Sequence, residues 1–176
     1  QASFTAFDHM KAFIDAGNRT GDGGEYYTIG PVKLYEDGSL GARTALMNHP
    51  YVGTDQYGTA VHDQEDTDRL VDYAYKNNMQ ILIHAIGDKA SDMVCGSYIK
   101  AIEKYGRRDS RLAINHLQVV SPDLFDRMKE YGILAYIQPV FVASDKDIIV
   151  KLTGEEPAGR SYMWKTMIEK GLTCCG

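Results

Sequence analysis

The sequence predicts an α/β fold in which helices cover a parallel sheet. Short segments that are apolar on both faces alternate along the chain with segments whose apolar residues recur at helical spacing. Two of the apolar segments end in histidine, His84 and His116, and their separation of 32 residues (116 minus 84) is typical of one strand-helix-strand unit. Strands that alternate with helices in this way indicate a parallel sheet or barrel.

The individual elements follow from apolar spacing and from turn and cap residues. Helices are predicted at residues 4–16, 65–78, 88–105, 122–132, 146–152 and 162–170. Strands are predicted at residues 26–35, 80–84, 112–116 and 133–137, and a last one begins at Leu172. Asp88 is expected to cap one helix, while Ser121 and Pro122 supply the N-cap and the first position of another. Residues 38–64 lack strong periodicity, and a loop of that length indicates a substrate-covering segment.

The composition indicates a soluble globular protein. Of 176 residues, 44% are hydrophobic and 24% are charged, and 19 Lys and Arg against 24 Asp and Glu give a net charge of -5. No basic face for nucleic acid is predicted, and no apolar stretch approaches the roughly 20 residues that span a bilayer. The three cysteines, two of them adjacent, give no disulfide framework, so we expect a cytoplasmic protein.

Three side chains at predicted strand ends are suited to chemistry. Because the carboxyl ends of neighbouring parallel strands converge, His84 and His116 are expected to lie within reach of one ion. Lys33, on the preceding strand, is expected to point toward the same space. Asp37 and Asp88 follow strand ends closely and are candidates to orient the imidazoles.

These residues also have structural interpretations, which the sequence leaves open. A single His is more often a hydrogen-bonded core residue, a Lys in an apolar strand often extends its amine to solvent, and Asp88 is equally suited to being a helix cap alone. His9, His49 and His62 lack partner spacing and are interpreted as surface or loop residues.

Four segments of the chain carry a resemblance to a known family. They are Val32-Lys-Leu-Tyr-Glu-Asp-Gly-Ser-Leu-Gly-Ala-Arg-Thr44, Ile83-His-Ala-Ile-Gly-Asp88, Ile114-Asn-His-Leu-Gln118 and Ile137-Gln-Pro139. In this order they resemble the central part of the YtcJ-like metal-dependent hydrolases of the amidohydrolase superfamily. The likeness covers nearly the whole chain.

The resemblance implies a partial TIM (β/α)8 barrel, with residues 1–176 forming roughly strands 4 to 8 of a single incomplete domain. The family's metal site takes a His-x-His pair from strand 1, a carboxylated lysine from strand 4, one His each from strands 5 and 6, and an Asp from strand 8. By motif, Lys33 would be the carboxylated lysine, and His84 and His116 would ligate a divalent metal, with zinc expected.

The chemistry that the resemblance implies is hydrolysis of an amide or related C–N bond by a metal-activated water, with the strand-8 Asp as general base. Arg43 and Gln138 would face a small-molecule substrate from the rim of the barrel. Asp37 and Asp88 would lie beside or behind the ligands.

Two departures from the family pattern concern this chain. No His-x-His occurs in its 176 residues, and the family's strand-8 Asp would fall just after Gly176. Since the chain also begins at Gln1, both ends are expected to be cut, and the chain alone is expected to be metal-free or partly occupied, with Lys33 unmodified and no catalysis. Open sheet edges predict association, either as a homo-oligomer or by edge pairing.

Two alternatives to a metal-dependent hydrolase remain. A metal-free α/β enzyme would use His84 or His116 as acid or base on a phosphorylated small molecule held by the glycines at residues 38–41. A non-catalytic regulatory or binding protein would use the same barrel as a scaffold.

Overall fold

A six-stranded parallel sheet forms the centre of the fold in the computed structural model, which describes residues 1–176. The strands follow one another across the sheet in chain order, and each pairs in parallel with the next. They are β1 (Ala2–Ser3), β2 (Val32–Tyr35), β3 (Ile81–Ala85), β4 (Ala113–His116), β5 (Leu134–Tyr136) and β6 (Cys174–Cys175). The predicted α/β class is confirmed.

Every connection between neighbouring strands contains at least one helix, as parallel pairing requires. The helices are α1 (Phe7–Asp15), α2 (Gln64–Lys76), α3 (Asp88–Tyr105), α4 (Leu124–Tyr131), α5 (Phe141–Asp145), α6 (Ile149–Thr153), α7 (Glu155–Gly159) and α8 (Trp164–Glu169). None of them has the length and apolar character needed to cross a membrane.

Two clusters of buried apolar side chains hold these elements together. The larger one has 30 buried residues, including Leu34, Ile83 and Ile114, which are aligned on three neighbouring strands. The smaller one has seven residues, all from segments that follow a strand: Leu40, Ala45, Met47, Tyr51, Ile86, Val119 and Ile149. The smaller cluster therefore fixes the loops at the carboxyl end of the sheet.

The first part of the chain differs from the sequence prediction. The strand that carries Lys33 begins at Val32. Residues 26–31 do not extend it, because Tyr26 and Tyr27 are exposed at the tip of a hairpin closed by the Gly23–Thr28 bridge, and Pro31 has no backbone N–H to donate to a neighbouring strand. A sixth strand, Ala2–Ser3, was not predicted, since two residues are too few to show any periodicity.

The later helices also need correction. α4 begins at Leu124 rather than at Pro122, and the hydroxyl of Ser121 donates to the Asp92 carboxylate on α3 instead of capping α4. The helix predicted at residues 146–152 is replaced by three short helices, α5 to α7. Gly154, whose φ of 86° is left-handed, separates the last two of them.

Candidate metal centre

The three predicted ligand residues lie on three adjacent strands, β2, β3 and β4. Strand register places Tyr35 beside His84 and Ala85 beside His116. Lys33 is two residues before Tyr35 and so shares its face of the sheet. The candidate site is therefore at the carboxyl end of the sheet, where loops and strand ends meet.

The two imidazole rings converge, as the sequence predicted. Their centroids are 4.6 Å apart, and the ring planes are inclined by 71°. Two imidazoles bound to one zinc ion at about 2.0 to 2.1 Å would have ring centres roughly 5 Å apart. The observed separation of His84 and His116 fits a shared ion.

An unusual backbone conformation brings His116 to this position. His84 is paired in register with Asn115, so strict alternation would direct His116 to the opposite face. Instead, His116 has φ 87° and Leu117 has φ 50°, both in the left-handed region. This conformation costs roughly 1 to 2 kcal/mol in a non-glycine residue, which marks the position as one where placement of the ring matters.

The His84 ring is held from behind by the segment that follows β2. Its Nε2 atom lies 2.8 Å from the carbonyl oxygen of Gly38 and 3.3 Å from Oδ1 of Asp37. Because a carbonyl only accepts, Nε2 carries the proton, and the lone pair is on Nδ1. A metal-binding His typically has this arrangement, with its second nitrogen donating to a carbonyl or carboxylate.

Asp37 is itself fixed by backbone donors and is 4% exposed. Its carboxylate accepts hydrogen bonds from the N–H groups of Leu46 at 2.9 Å, Ile86 at 3.0 Å and Gly87 at 2.8 Å. A side chain at position 87 would meet the Leu46 carbonyl oxygen at 1.9 Å, so glycine is required for this close approach. Asp37 thus ties two loops together and supports His84.

Amide groups hold the His116 ring. The amide nitrogen of Asn115 donates to Nε2 of His116 at 3.0 Å, and Nε2 of Gln138 donates to Oδ1 of Asn115 at 2.8 Å. Burial is the main cause that lowers the pKa of His116 to about 4, with smaller contributions in the same direction from nearby His84 and Lys33. His116 is therefore a neutral imidazole near pH 7. Since Nε2 accepts from Asn115, the proton is on Nδ1, and binding of a metal at Nε2 would require the Asn115 amide to move away.

Lys33 is buried without a carboxylate partner. Its amine donates to the backbone carbonyl of Leu34 at 2.8 Å and lies 3.9 Å from the centre of the Tyr35 ring. Burial lowers the pKa of Lys33 to about 8. By strand register Lys33, Tyr35 and His84 share one face of the sheet, and with this pKa a fraction of the Lys33 amine is neutral and nucleophilic near pH 7.

Two buried polar atoms at this site have no partner: Nδ1 of His116 and Oε1 of Gln138. An unpaired buried polar atom costs about 1 to 3 kcal/mol, so such atoms indicate a missing ligand or water. The donor set of two imidazoles and a lysine fits a divalent cation bound with a carbamate. No group of three or more His, Cys, Asp or Glu side chains is placed to hold a metal ion.

Other predicted site residues lie elsewhere. Asp88 accepts from the Asn48 N–H at 2.8 Å and lies 3.5 Å from the Arg160 guanidinium, and it forms no hydrogen bond or ion pair with either imidazole. It joins the long loop to α7 instead. Arg43 is exposed on the loop after β2, with a left-handed φ of 55°, and its guanidinium forms no hydrogen bond or ion pair.

The remaining histidines do not join the site, in agreement with their interpretation as surface or loop residues: His9 on α1, and His49 and His62 in the long loop. The glycines at residues 38–41 do not form a phosphate cradle. The N–H groups of Gly38 and Ser39 already bond to the carbonyl and hydroxyl of Thr44. This observation counts against the phosphate-binding alternative.

Sequence reasoning missed Asn115 as a site residue. The residue before a strand-end histidine is expected on the opposite face, and nothing in the sequence indicates the left-handed turn at His116. The polar amide itself, in an otherwise apolar strand, was the available signal.

Comparisons with known proteins identify the family of the chain. The model of the amidohydrolase family matches residues 3–176. YtcJ of Bacillus subtilis, named as an amidohydrolase, is 37% identical over 154 residues, which cover 87% of this chain and 28% of YtcJ. The protein LONG AFTER FAR-RED 3 of Arabidopsis thaliana is 36% identical over 146 residues, covering 82% of this chain and 25% of that protein.

Two solved structures of metal-dependent hydrolases are similar to this chain. An uncharacterized metal-dependent hydrolase from Pyrococcus furiosus superposes with a TM-score of 0.81 at 30% identity, over 95% of this chain and 34% of that one. Its counterpart from Pyrococcus horikoshii OT3 gives 0.80 at 30% identity with the same coverage. The chain thus spans about a quarter to a third of the length of these relatives, and its open sheet corresponds to part of their barrel. The match of the family model over nearly the whole chain shows that this chain belongs to the amidohydrolase family.

Proposed function

We propose that the protein is a metal-dependent hydrolase of C–N bonds, and that this chain contributes Lys33, His84 and His116 as metal ligands. The observation that carries the proposal is the meeting of two imidazoles, whose ring centres are 4.6 Å apart, with a buried lysine that has no carboxylate partner. Membership of the amidohydrolase family and the similarity to metal-dependent hydrolases support it. We propose zinc as the metal, because imidazole and carboxylate-like oxygen ligands suit it.

When bound, the metal would lower the pKa of a water molecule to about 7 and polarise the scissile carbonyl. The residues of this chain prepare the site for it. Gly38 and Asp37 hold the proton on Nε2 of His84, which leaves its Nδ1 lone pair free. The neutral amine of Lys33 can add through its nitrogen to the carbon of carbon dioxide, with loss of one proton, to form the carbamate ligand.

Gln138 is suited to act on the substrate or the attacking water. Its amide nitrogen is held by Asn115, and its buried Oε1 has no donor. This oxygen can accept a hydrogen bond from the water or from the substrate N–H. Arg43, an unpaired cation on the loop after β2, remains a proposed rim contact for substrate.

We propose that the chain alone does not catalyse hydrolysis. Three ligands are fewer than the family's site contains, and the chain spans 28% of YtcJ and 34% of the Pyrococcus furiosus hydrolase. The first and last strands each have a neighbour on one side only, so we also propose that these edges associate with further strands or with another copy.

Calorimetric titration of the chain with Co²⁺ or Zn²⁺ tests the assignment of the metal ligands. We expect one weakly bound ion per chain, and a loss of affinity of at least roughly tenfold in His84→Ala and in His116→Ala. His49→Ala is the matched control and should bind like the unchanged chain. Equal affinity in all three variants would overturn the proposal.

A non-catalytic role on the same barrel is a second candidate. It is favoured by the relative from Arabidopsis thaliana, whose name refers to no reaction. Metal binding alone does not distinguish the two functions, because both could retain it. A chimera distinguishes them: the segment from β2 to β5 of this chain replaces the matching segment of a full-length relative, and hydrolysis of an activated anilide is measured. Turnover that depends on Lys33, His84 and His116 supports the hydrolase, and metal binding without turnover supports the non-catalytic role.

A further inference from the structure

An aromatic side chain that belongs to neither apolar cluster lies beside the candidate metal centre. Phe141, the first residue of α5, is 37% exposed, and the preceding Val140 is 73% exposed. The centroid of the Phe141 ring is 5.9 Å from that of His116, with the planes inclined by 47°. Neither Val140 nor Phe141 packs against the two buried clusters.

The apolar clusters of this chain bury neither residue of this apolar pair. A phenyl ring that stabilised the fold would be buried in one of the clusters, as Phe125 is. Instead, the Phe141 ring remains partly open to solvent and lies against the ring of His116, a proposed metal ligand. Gln138, whose Oε1 is buried, is three residues earlier in the sequence. Exposed apolar surface next to convergent polar groups is typical of a ligand-binding site.

The carboxylate that ends α5 is occupied by hydroxyl donors and does not reach the histidine pair in any hydrogen bond or ion pair. Asp145, at the end of α5, accepts hydrogen bonds from the hydroxyls of Tyr162 and Ser144. On the opposite side of the histidine pair, the Tyr35 ring lies 5.8 Å from His84 and is partly buried. Aromatic surface therefore flanks both imidazoles.

We infer that Phe141, together with Val140, forms a subsite for an aromatic or bulky apolar group attached next to the scissile C–N bond. The inference rests on the proposed function, since the bond to be cleaved lies at the metal. Contact with a ring or branched alkyl group would cover the exposed face of Phe141, and the polar amide would remain beside His116 and Gln138. Phe141 is thus a specificity-determining residue.

Benzamide and acetamide are suitable probes, because they share the amide and differ in the phenyl group. Binding to the metal-free chain is followed by NMR, using the imidazole signals of His116 and the ring signals of Phe141. We expect benzamide to bind roughly tenfold more tightly than acetamide and to shift both sets of signals. In Phe141→Ala the preference should fall to within about twofold, whereas Phe141→Tyr should keep it.

Ile168→Ala is the matched control, because Ile168 is an apolar residue on α8 with 65% exposure. It should leave the benzamide preference unchanged, and circular dichroism should show that all variants are folded. Equal binding of the two probes, or a preference that persists in Phe141→Ala, would overturn the inference. So would signals of Phe141 that change on dilution of the ligand-free chain, since a second copy would then be the occupant.

The two proposals can fail separately. If Co²⁺ affinity depends on His84 and His116 but benzamide shows no preference, only the subsite is wrong. If benzamide binds at Phe141 but the histidine variants bind Co²⁺ like the unchanged chain, the metal assignment is wrong.

Discussion

The two ends of the sheet differ in how their polar groups are satisfied. At the amino end, a cavity of about 390 Å³ is lined mostly by polar residues, including Gln80, Arg108 and Arg111. Its cations are already engaged: Arg111 pairs with Asp109 at 3.2 Å, and Arg108 lies 3.7 Å above the Tyr75 ring. At the carboxyl end, buried polar atoms remain without partners.

This difference shows that a polar cavity alone does not locate the chemistry. In the amino-end cavity, the ion pair between Arg111 and Asp109 is exposed to solvent. At the carboxyl end, burial lowers the pKa of Lys33 to about 8 and that of His116 to about 4. Perturbed and unpaired groups that converge are the better indicator of a functional site.

The largest expected effect on stability comes from removing a carboxylate at the carboxyl end of the sheet, compared with removing one at the amino end. Asp37→Ala would leave three buried N–H groups without an acceptor, and we expect the free energy of unfolding to fall by about 3 to 5 kcal/mol. The amino-end control, Asp109→Ala, removes only an exposed ion pair and should cost less than about 1 kcal/mol. Urea unfolding measures both. Similar losses in the two variants would contradict the contrast between the ends.

A second prediction concerns Glu36, which lies at the carboxyl end but faces α2. Burial raises the pKa of Glu36 to about 8, opposed by the hydrogen bond from the Thr67 hydroxyl at 2.8 Å, while its Oε1 has no partner. Between the unfolded pKa of about 4.3 and the folded one, the folded state binds more protons, so stability falls as pH rises through this window.

Glu36→Gln should therefore raise the free energy of unfolding at pH 7 by about 1 to 3 kcal/mol, and the gain should vanish below about pH 4. Glu25→Gln, at an exposed loop position, should change stability by less than about 0.5 kcal/mol. Urea unfolding as a function of pH gives the comparison. A destabilised Glu36→Gln at pH 7 would show that the carboxyl is charged and paired.

The smallest effect tests whether Lys33 faces the histidine pair. Lys33→Met removes one positive charge, so the pKa of His116 should rise, but it should stay below its ordinary value because burial is the larger cause. Arg111→Met, at the amino end, should leave the pKa of His116 unchanged. NMR titration of the imidazole signals follows both. No change in Lys33→Met would place the lysine away from the site.

The sequence could predict the convergence of His84 and His116 because the strands that carry them follow from local patterns. Lys33 and His84 lie on short apolar strands whose parallel pairing follows from the alternation with helices. The position of His116 at a strand end predicted that its ring lies near His84. Strand alternation alone, however, directs this ring to the opposite face of the sheet. The left-handed turn that corrects this is a property of the folded chain.

Other features depend on contacts between distant residues. Asp37 and Asp88 look alike in sequence, since both follow strands, yet one supports His84 and the other pairs with Arg160. For Asp88 the contacts are decided by the packing of Asn48 and Arg160, which are 40 and 72 residues away in the sequence. The unpredicted strand Ala2–Ser3 likewise exists only because β2 offers it an edge.

Anomalous diffraction from crystals of the zinc-loaded chain tests the central claim most directly. The account predicts one peak at the carboxyl end, at about 2.0 to 2.2 Å from a ring nitrogen of both His84 and His116 and with Lys33 adjacent to it. A peak only in the amino-end cavity, or zinc bound by other residues while the two imidazoles remain free of metal, would contradict the account.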